Sequence, residues 1–111
     1  MKMAMAQAYR ALGDPTRREI LRLLREGDLR AGDLATHFEM SWPSVSRHLK
    51  VLEAAGLVSS ERRGGNIIYS LQTSVLEDIV TELADMAGIG RPAPAQRARP
   101  QGGRTQQAQR A

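Results

Sequence analysis

Three features of this 111-residue sequence predict a mainly α fold with one β-hairpin, an α+β arrangement of five helices with the hairpin before the last. Apolar residues recur at helical spacing up to Ala55 and again after Ser74. Between Leu57 and Leu71 the period drops from 3.6 to 2. Start and stop residues punctuate the chain at Gly13-Asp14-Pro15, Gly27, Ser41, Gly56 and Gly88.

The first helix is expected from about Met3 to Leu12, where Met5, Ala8, Tyr9 and Leu12 share a face. Gly13 ends it. Asp14-Pro15 then supplies an N-cap and a first helical residue for TRREILRLLREG, in which Ile20, Leu21, Leu23 and Leu24 are apolar and Gly27 terminates. After a turn at Asp28, Ala31, Leu34, Ala35 and Phe38 stand at i, i+3, i+4 and i+7, the stripe of a short amphipathic helix. Only Glu39 and Met40 separate that stripe from the Ser41 cap, so two helices meet across a tight turn in a helix-turn-helix layout.

The fourth helix, Trp42 to about Ala55, organises the rest. Ser41 caps it, Trp42 and Pro43 occupy the first turn, where a missing N–H costs nothing, and Gly56 stops it. At 100° per residue Val45, Leu49 and Leu52 fall on one stripe, while Pro43, Arg47 and Lys50 point the opposite way with Ser44, Ser46 and Val51 on the flanks. One side packs and the other is open to a partner. Short hydroxyls and cations on that side suit base edges and phosphates in a major groove.

Within this set Arg47 is expected to read a base, its fork bridging guanine O6 and N7, with a phosphate contact as the alternative. Ser44 and Ser46 are candidate donors to bases or phosphates, and Lys50 a phosphate contact. Trp42 either stacks on a sugar or thymine methyl or covers the neighbouring helix. His48 either makes a structural hydrogen bond or touches phosphate, and His37 is expected to be exposed.

Leu57 to Arg62 and Ile67 to Leu71, joined through Gly64-Gly65-Asn66, read as a hairpin whose Ile67, Tyr69 and Leu71 lie on the helices. Following such a helix, the hairpin is a wing, with Arg62 and Arg63 at its tip reaching phosphates or the minor groove. Ser74 and Glu77 form a capping box for the last helix, in which Val75, Leu76, Ile79, Val80, Leu83 and Met86 make a broad apolar face. That is more apolar surface than a monomer this small can cover. A homodimer is therefore expected through the first and last helices, with Met5, Tyr9, Leu76, Ile79, Val80 and Leu83 in the contact. Residues 1–90 form this domain, and 91–111, rich in Pro, Gln and Arg, form a tail expected to be disordered.

Charge placement says more than net charge. The +4 of the whole chain comes from Arg91, Arg97, Arg99, Arg104 and Arg110 in the tail, so residues 1–90 hold eleven basic against twelve acidic side chains. With no cysteine there is no disulfide, thiolate ligand or nucleophilic thiol. No nucleophile–base pair, Gly-rich phosphate loop or HExxH is found, which argues against an enzyme, and no cofactor is expected. No apolar run reaches membrane-spanning length and MKMAMAQAYR turns polar too early for a signal peptide, so a cytoplasmic location without membrane contact is expected.

The segments ALGDPTRREILRLL, AGDLATHFEMSWPSVSRHLKVLEAAGLV and RRGGNIIYSL, covering roughly Tyr9 to Leu71, resemble the ArsR family of bacterial winged helix-turn-helix repressors. The AG-before-D and F-then-S-x-P wording is nearest to its metal-independent autorepressor subfamily. The resemblance implies a homodimer that binds an imperfect inverted repeat in double-stranded promoter DNA and blocks transcription, often its own. The family's metal positions do not match. Gly32-Asp33-Leu34-Ala35 stands where thiolate sensors carry a CxC-type pair, and the last helix offers Glu77, Asp78, Glu82 and Asp85 but no His. No metal site is expected, leaving a constitutive repressor or one displaced by an unknown inducer or partner protein. The alternative is a winged-helix module for protein–protein interaction, which Ser44, Arg47, Lys50 and the basic wing tip argue against.

Overall fold

The computed structural model describes residues 2–90, with side chains from Met5 onward, in the order α1 (Lys2–Leu12), α2 (Pro15–Arg25), β1 (Leu29–Arg30), α3 (Ala31–Ala35), α4 (Trp42–Ala54), β2 (Val58–Arg63), β3 (Asn66–Leu71) and α5 (Ser74–Ala87). The 91–111 tail lies outside the described residues. One compact unit ends at Val80 and a second begins at Thr81.

The five helices and the hairpin stand where the sequence places them, but the hairpin belongs to a three-stranded antiparallel sheet of order β1-β3-β2. Leu29 pairs with Tyr69 and Arg30 with Ile68, where the sequence reading has only a turn after Asp28. Two residues are too few to show a period. The β2–β3 register runs from Val58 opposite Leu71 to Arg63 opposite Asn66, and Gly64 takes φ +60°, the left-handed value that a two-residue hairpin turn needs at its first central position.

Helix α4 is fixed at both ends by its own residues. The Ser41 side chain accepts the Ser44 N–H, and Pro43 lies in the first turn. At the far end Gly56, at φ +78°, lets Leu57 N–H reach Leu52 O at 3.0 Å and Gly56 N–H reach Glu53 O at 3.0 Å, the paired bonds of a Schellman stop. A Cβ on Gly56 would stand 3.2 Å from Val75 Cγ2, so α5 packs directly against this stop.

Helix α3 is shorter than its stripe. It ends at Ala35 because the Thr36 hydroxyl and N–H both take the Asp33 carbonyl, and i→i+3 bonds carry the chain on to Phe38. Phe38 still packs on the core, from a turn rather than from the helix. Helix α5 also starts one residue off the expected box. Ser74 is already helical, and the Thr73 carbonyl accepts the Glu77 N–H at 2.7 Å, which makes Thr73 the cap.

The core joins Ile20, Leu21 and Leu24 of α2, Leu34 of α3, Val45, Leu49 and Leu52 of α4, and Leu57, Val58 and Tyr69 around the sheet, with Ala8 and Ala11 of α1 fitting between. Ile79 belongs here too. Expected in the dimer contact, it is 2% exposed within the protomer, because the first turns of α5 lie on the core with Val75 and Leu76 half-buried beside it. Met5 and Tyr9 pack partly against the same core, whereas Val80 and Leu83 are exposed.

Candidate nucleic-acid interface

The two-sided character of α4 is sharp. Val45, Leu49 and Leu52 are buried, and Pro43, Arg47 and Lys50 are exposed on the opposite side. Ser44 and Ser46 are half-buried on the flanks, and Val51 is exposed at 39%. Arg47 lies back along its own helix, donating from one terminal nitrogen to Ser44 Oγ at 3.4 Å, while the Ser41 hydroxyl donates to the same oxygen at 3.2 Å. No acid pairs with Arg47 among the described residues, so its five donors meet only one weak neutral acceptor and are available to a ligand with strong ones.

Trp42 stands at a junction. It shares an open cleft of about 480 Å³ with Ala31, Gly32 and Ala35 of α3 and with Gly65 and Ile67 of the wing. It thus borders the neighbouring helix while keeping 39% of its surface exposed.

The two wing arginines, grouped together at the tip by sequence, part in the structure. Successive strand residues face opposite sides of a ribbon, so Arg62, opposite Ile67, shares the side that carries Tyr69 and Leu71, and Arg63, opposite Asn66, lies on the other. Arg63 is held by Glu61 at 3.0 Å, and the Glu61 hydrogen bond raises its pKa further. Arg62 has no acidic partner among the described residues.

A polar cluster that the sequence reading missed joins α4 to the α1–α2 corner. The Arg17 guanidinium donates through Nε to Ala11 O at 2.7 Å, through one terminal nitrogen to Arg10 O at 3.2 Å, and through the other to His48 Nδ1 at 3.2 Å. Asp14, the α2 N-cap, accepts the Arg17 N–H at 3.1 Å, with Oδ2 3.8 Å from His48 Nδ1. Of the two roles open to His48, the structural bond is therefore present. Nothing local marks Arg17, because its partner lies 31 residues away. His37 is exposed as expected, its Nδ1 3.1 Å from Asp33 O.

Asp14 carries a pH dependence. Desolvation pushes its carboxyl upward, but the Arg17 N–H, the His48 and Arg17 charges and the Thr16 N–H together outweigh it, leaving the pKa below the 3.8 of a free aspartate. A lowered folded-state value means that its contribution is complete above 3.8 and is lost as pH falls through the folded value. Asp14→Ala is expected to cost ~1 kcal/mol in urea denaturation at neutral pH, as for other N-caps, and the gap from the parent chain closes in acid.

Among the described residues no three His, Cys, Asp or Glu side chains come together as metal ligands, and no helix is long and apolar enough to cross a membrane.

Comparison with known proteins bears on this geometry. The profile described as bacterial regulatory protein, arsR family, matches residues 14–60, from the α2 cap into β2. The chain is 45% identical over 86 residues to the transcriptional repressor SdpR of Bacillus subtilis, covering 78% of this chain and 96% of that protein. It is 40% identical over 79 residues to the arsenical resistance operon repressor of Staphylococcus aureus, covering 71% and 76%. A solved ArsR-like transcriptional regulator from a Rhodococcus species superposes with a TM-score of 0.69 at 33% identity, over 78% of this chain and 82% of that one.

Proposed function

The chain belongs to the arsR family of bacterial regulatory proteins and is a DNA-binding transcriptional regulator, and from that premise we propose a homodimeric repressor of an inverted-repeat promoter. Membership of this family makes it a regulator rather than an enzyme. The observation that carries the reading is α4 itself, with Arg47 and Lys50 exposed directly across the helix from buried Leu49 and Leu52. Two copies of that face, about one turn of duplex (~34–36 Å) apart, enter successive major grooves. Trp42, Pro43, Ser44, Ser46, Arg47, His48 and Lys50 make up the α4 contribution, and Arg62 and Arg63 that of the wing. Met5, Tyr9, Leu76, Val80 and Leu83 form the dimer contact, with Ile79 supporting it from inside the protomer.

The repressor works without a metal switch. A chain with no cysteine cannot build the thiolate site of an arsenic or cadmium sensor, and carboxylates alone bind borderline metals weakly. The test is a footprint of the purified chain on the DNA upstream of its own gene. Protection of two half-sites, unchanged by Zn(II), As(III) or EDTA, is the expected result. A metal-dependent footprint overturns the metal-free reading, and no protection of any promoter fragment above bulk DNA overturns the repressor itself.

The wing arginines are expected to differ. Arg62→Ala weakens all duplexes alike and lowers the slope of log affinity against log salt by about one, as loss of one phosphate contact does. Arg63→Ala, which removes a cation already paired with Glu61, changes the slope by less. Filter binding between 50 and 200 mM salt separates the two.

A further inference from the structure

We infer that Arg17 is a positioning residue for DNA binding: it holds the His48 imidazole so that Nε2–H donates to a backbone phosphate. This deepens the reading of α4 as the recognition helix and rests on it. A guanidinium has only donors, so the Arg17 nitrogen 3.2 Å from His48 Nδ1 makes Nδ1 the acceptor. A neutral imidazole accepting at Nδ1 carries its hydrogen on Nε2. The competing arrangement, Nδ1–H donating to Asp14 Oδ2, faces 3.8 Å, beyond hydrogen-bond range, and that oxygen already accepts the Arg17 N–H.

Arg17 is itself fixed from outside α4, by the carbonyls of Ala11 and Arg10 at the end of α1. The ring is therefore located by the α1–α2 corner as well as by its own helix. His48 follows the outward-facing Arg47, its side chain is 22% exposed, and Nε2 meets no protein acceptor among the described residues. That is the shoulder of a groove-bound helix, where contacts go to phosphates rather than bases. Arg17, with its nitrogens engaged by three acceptors, acts through the ring and not on DNA.

The experiment is a double-mutant cycle on the full chain, read by gel shift on the footprinted operator and on random duplex, with ring ¹⁵N spectra of the free protein at a pH where the imidazole is neutral. His48→Ala is expected to weaken both DNAs alike, by about tenfold, as loss of a hydrogen bond to a charged group does. Arg17→Ala weakens wild-type binding severalfold but changes the His48→Ala protein by less than twofold. His48→Gln, which can accept from Arg17 and still present an N–H, recovers most of the loss. Ring spectra place the hydrogen on Nε2. If Arg17→Ala does not fold, Arg17→Lys, which lacks the fork, takes its place in the cycle.

A hydrogen found on Nδ1, or an Arg17 effect undiminished by the loss of His48, overturns the inference and leaves Arg17 a structural tie. If instead the wild-type chain selects no operator, the repressor reading fails while the ring spectra still decide the Arg17–His48 geometry.

Discussion

Replacing Arg47 by alanine is expected to cost ~1–3 kcal/mol on the cognate operator, about 5- to 150-fold in affinity, while random duplex loses far less. The asymmetry follows from where the guanidinium stands. It is exposed on the side of α4 opposite Leu49 and is held only by a 3.4 Å bond to a neutral serine oxygen, so little is lost in turning it to a guanine edge. A bidentate bond to O6 and N7 exists only where a guanine occupies that step, so its removal relaxes sequence preference at one base pair. Competition gel shifts against operators varied one pair at a time read this directly. An equal loss on cognate and random DNA makes Arg47 a phosphate contact and moves base reading to Ser44 or Ser46.

Leu49→Ala attacks the same helix from behind, with a loss of ~2–5 kcal/mol in folding stability. Leu49 is 1% exposed in the core cluster that also holds Val45, Leu52, Leu34 and Ile20, so truncation leaves a void in a packed interior. Against a typical total of ~5–15 kcal/mol, that leaves a small domain marginal. Lys50→Ala, one residue on and fully outward, stays within ~0.5 kcal/mol. Urea denaturation of the two variants compares the two sides of α4. If they lose similar stability, the helix is not the two-faced element on which the function rests.

What could be read ahead of the structure was what local chemistry decides. The bounds of α4 come from Ser41, Pro43 and Gly56: Ser41 makes its cap bond, Pro43 lies in the first turn, and Gly56 takes the left-handed dihedral of a stop. The inward stripe of Val45, Leu49 and Leu52 follows from spacing alone. Strand β1 was not legible, since Leu29 and Arg30 become a strand only because Tyr69 and Ile68 lie beside them. The burial of Ile79 by its own protomer was not legible either, because periodicity shows that a face is apolar without showing whether the protomer or a second copy covers it. Arg62 and Arg63 look alike in sequence, where the strand is expected to end at Arg62; β2 reaches Arg63, so alternation along the strand puts the two on opposite sides and the register decides which side each takes. Arg17 was invisible for the reason that makes it interesting: its role depends on two helices crossing, not on any motif around it.

The cleft shared by α3, the start of α4 and the wing has a practical corollary. Its aromatic wall, Trp42, is the one tryptophan in the chain. Fluorescence of the unlabelled protein, excited at the red edge where the indole absorbs and Tyr9 and Tyr69 do not, therefore reports on that junction, and a titration with duplex follows the approach of the helix tip with no dye attached and no residue changed.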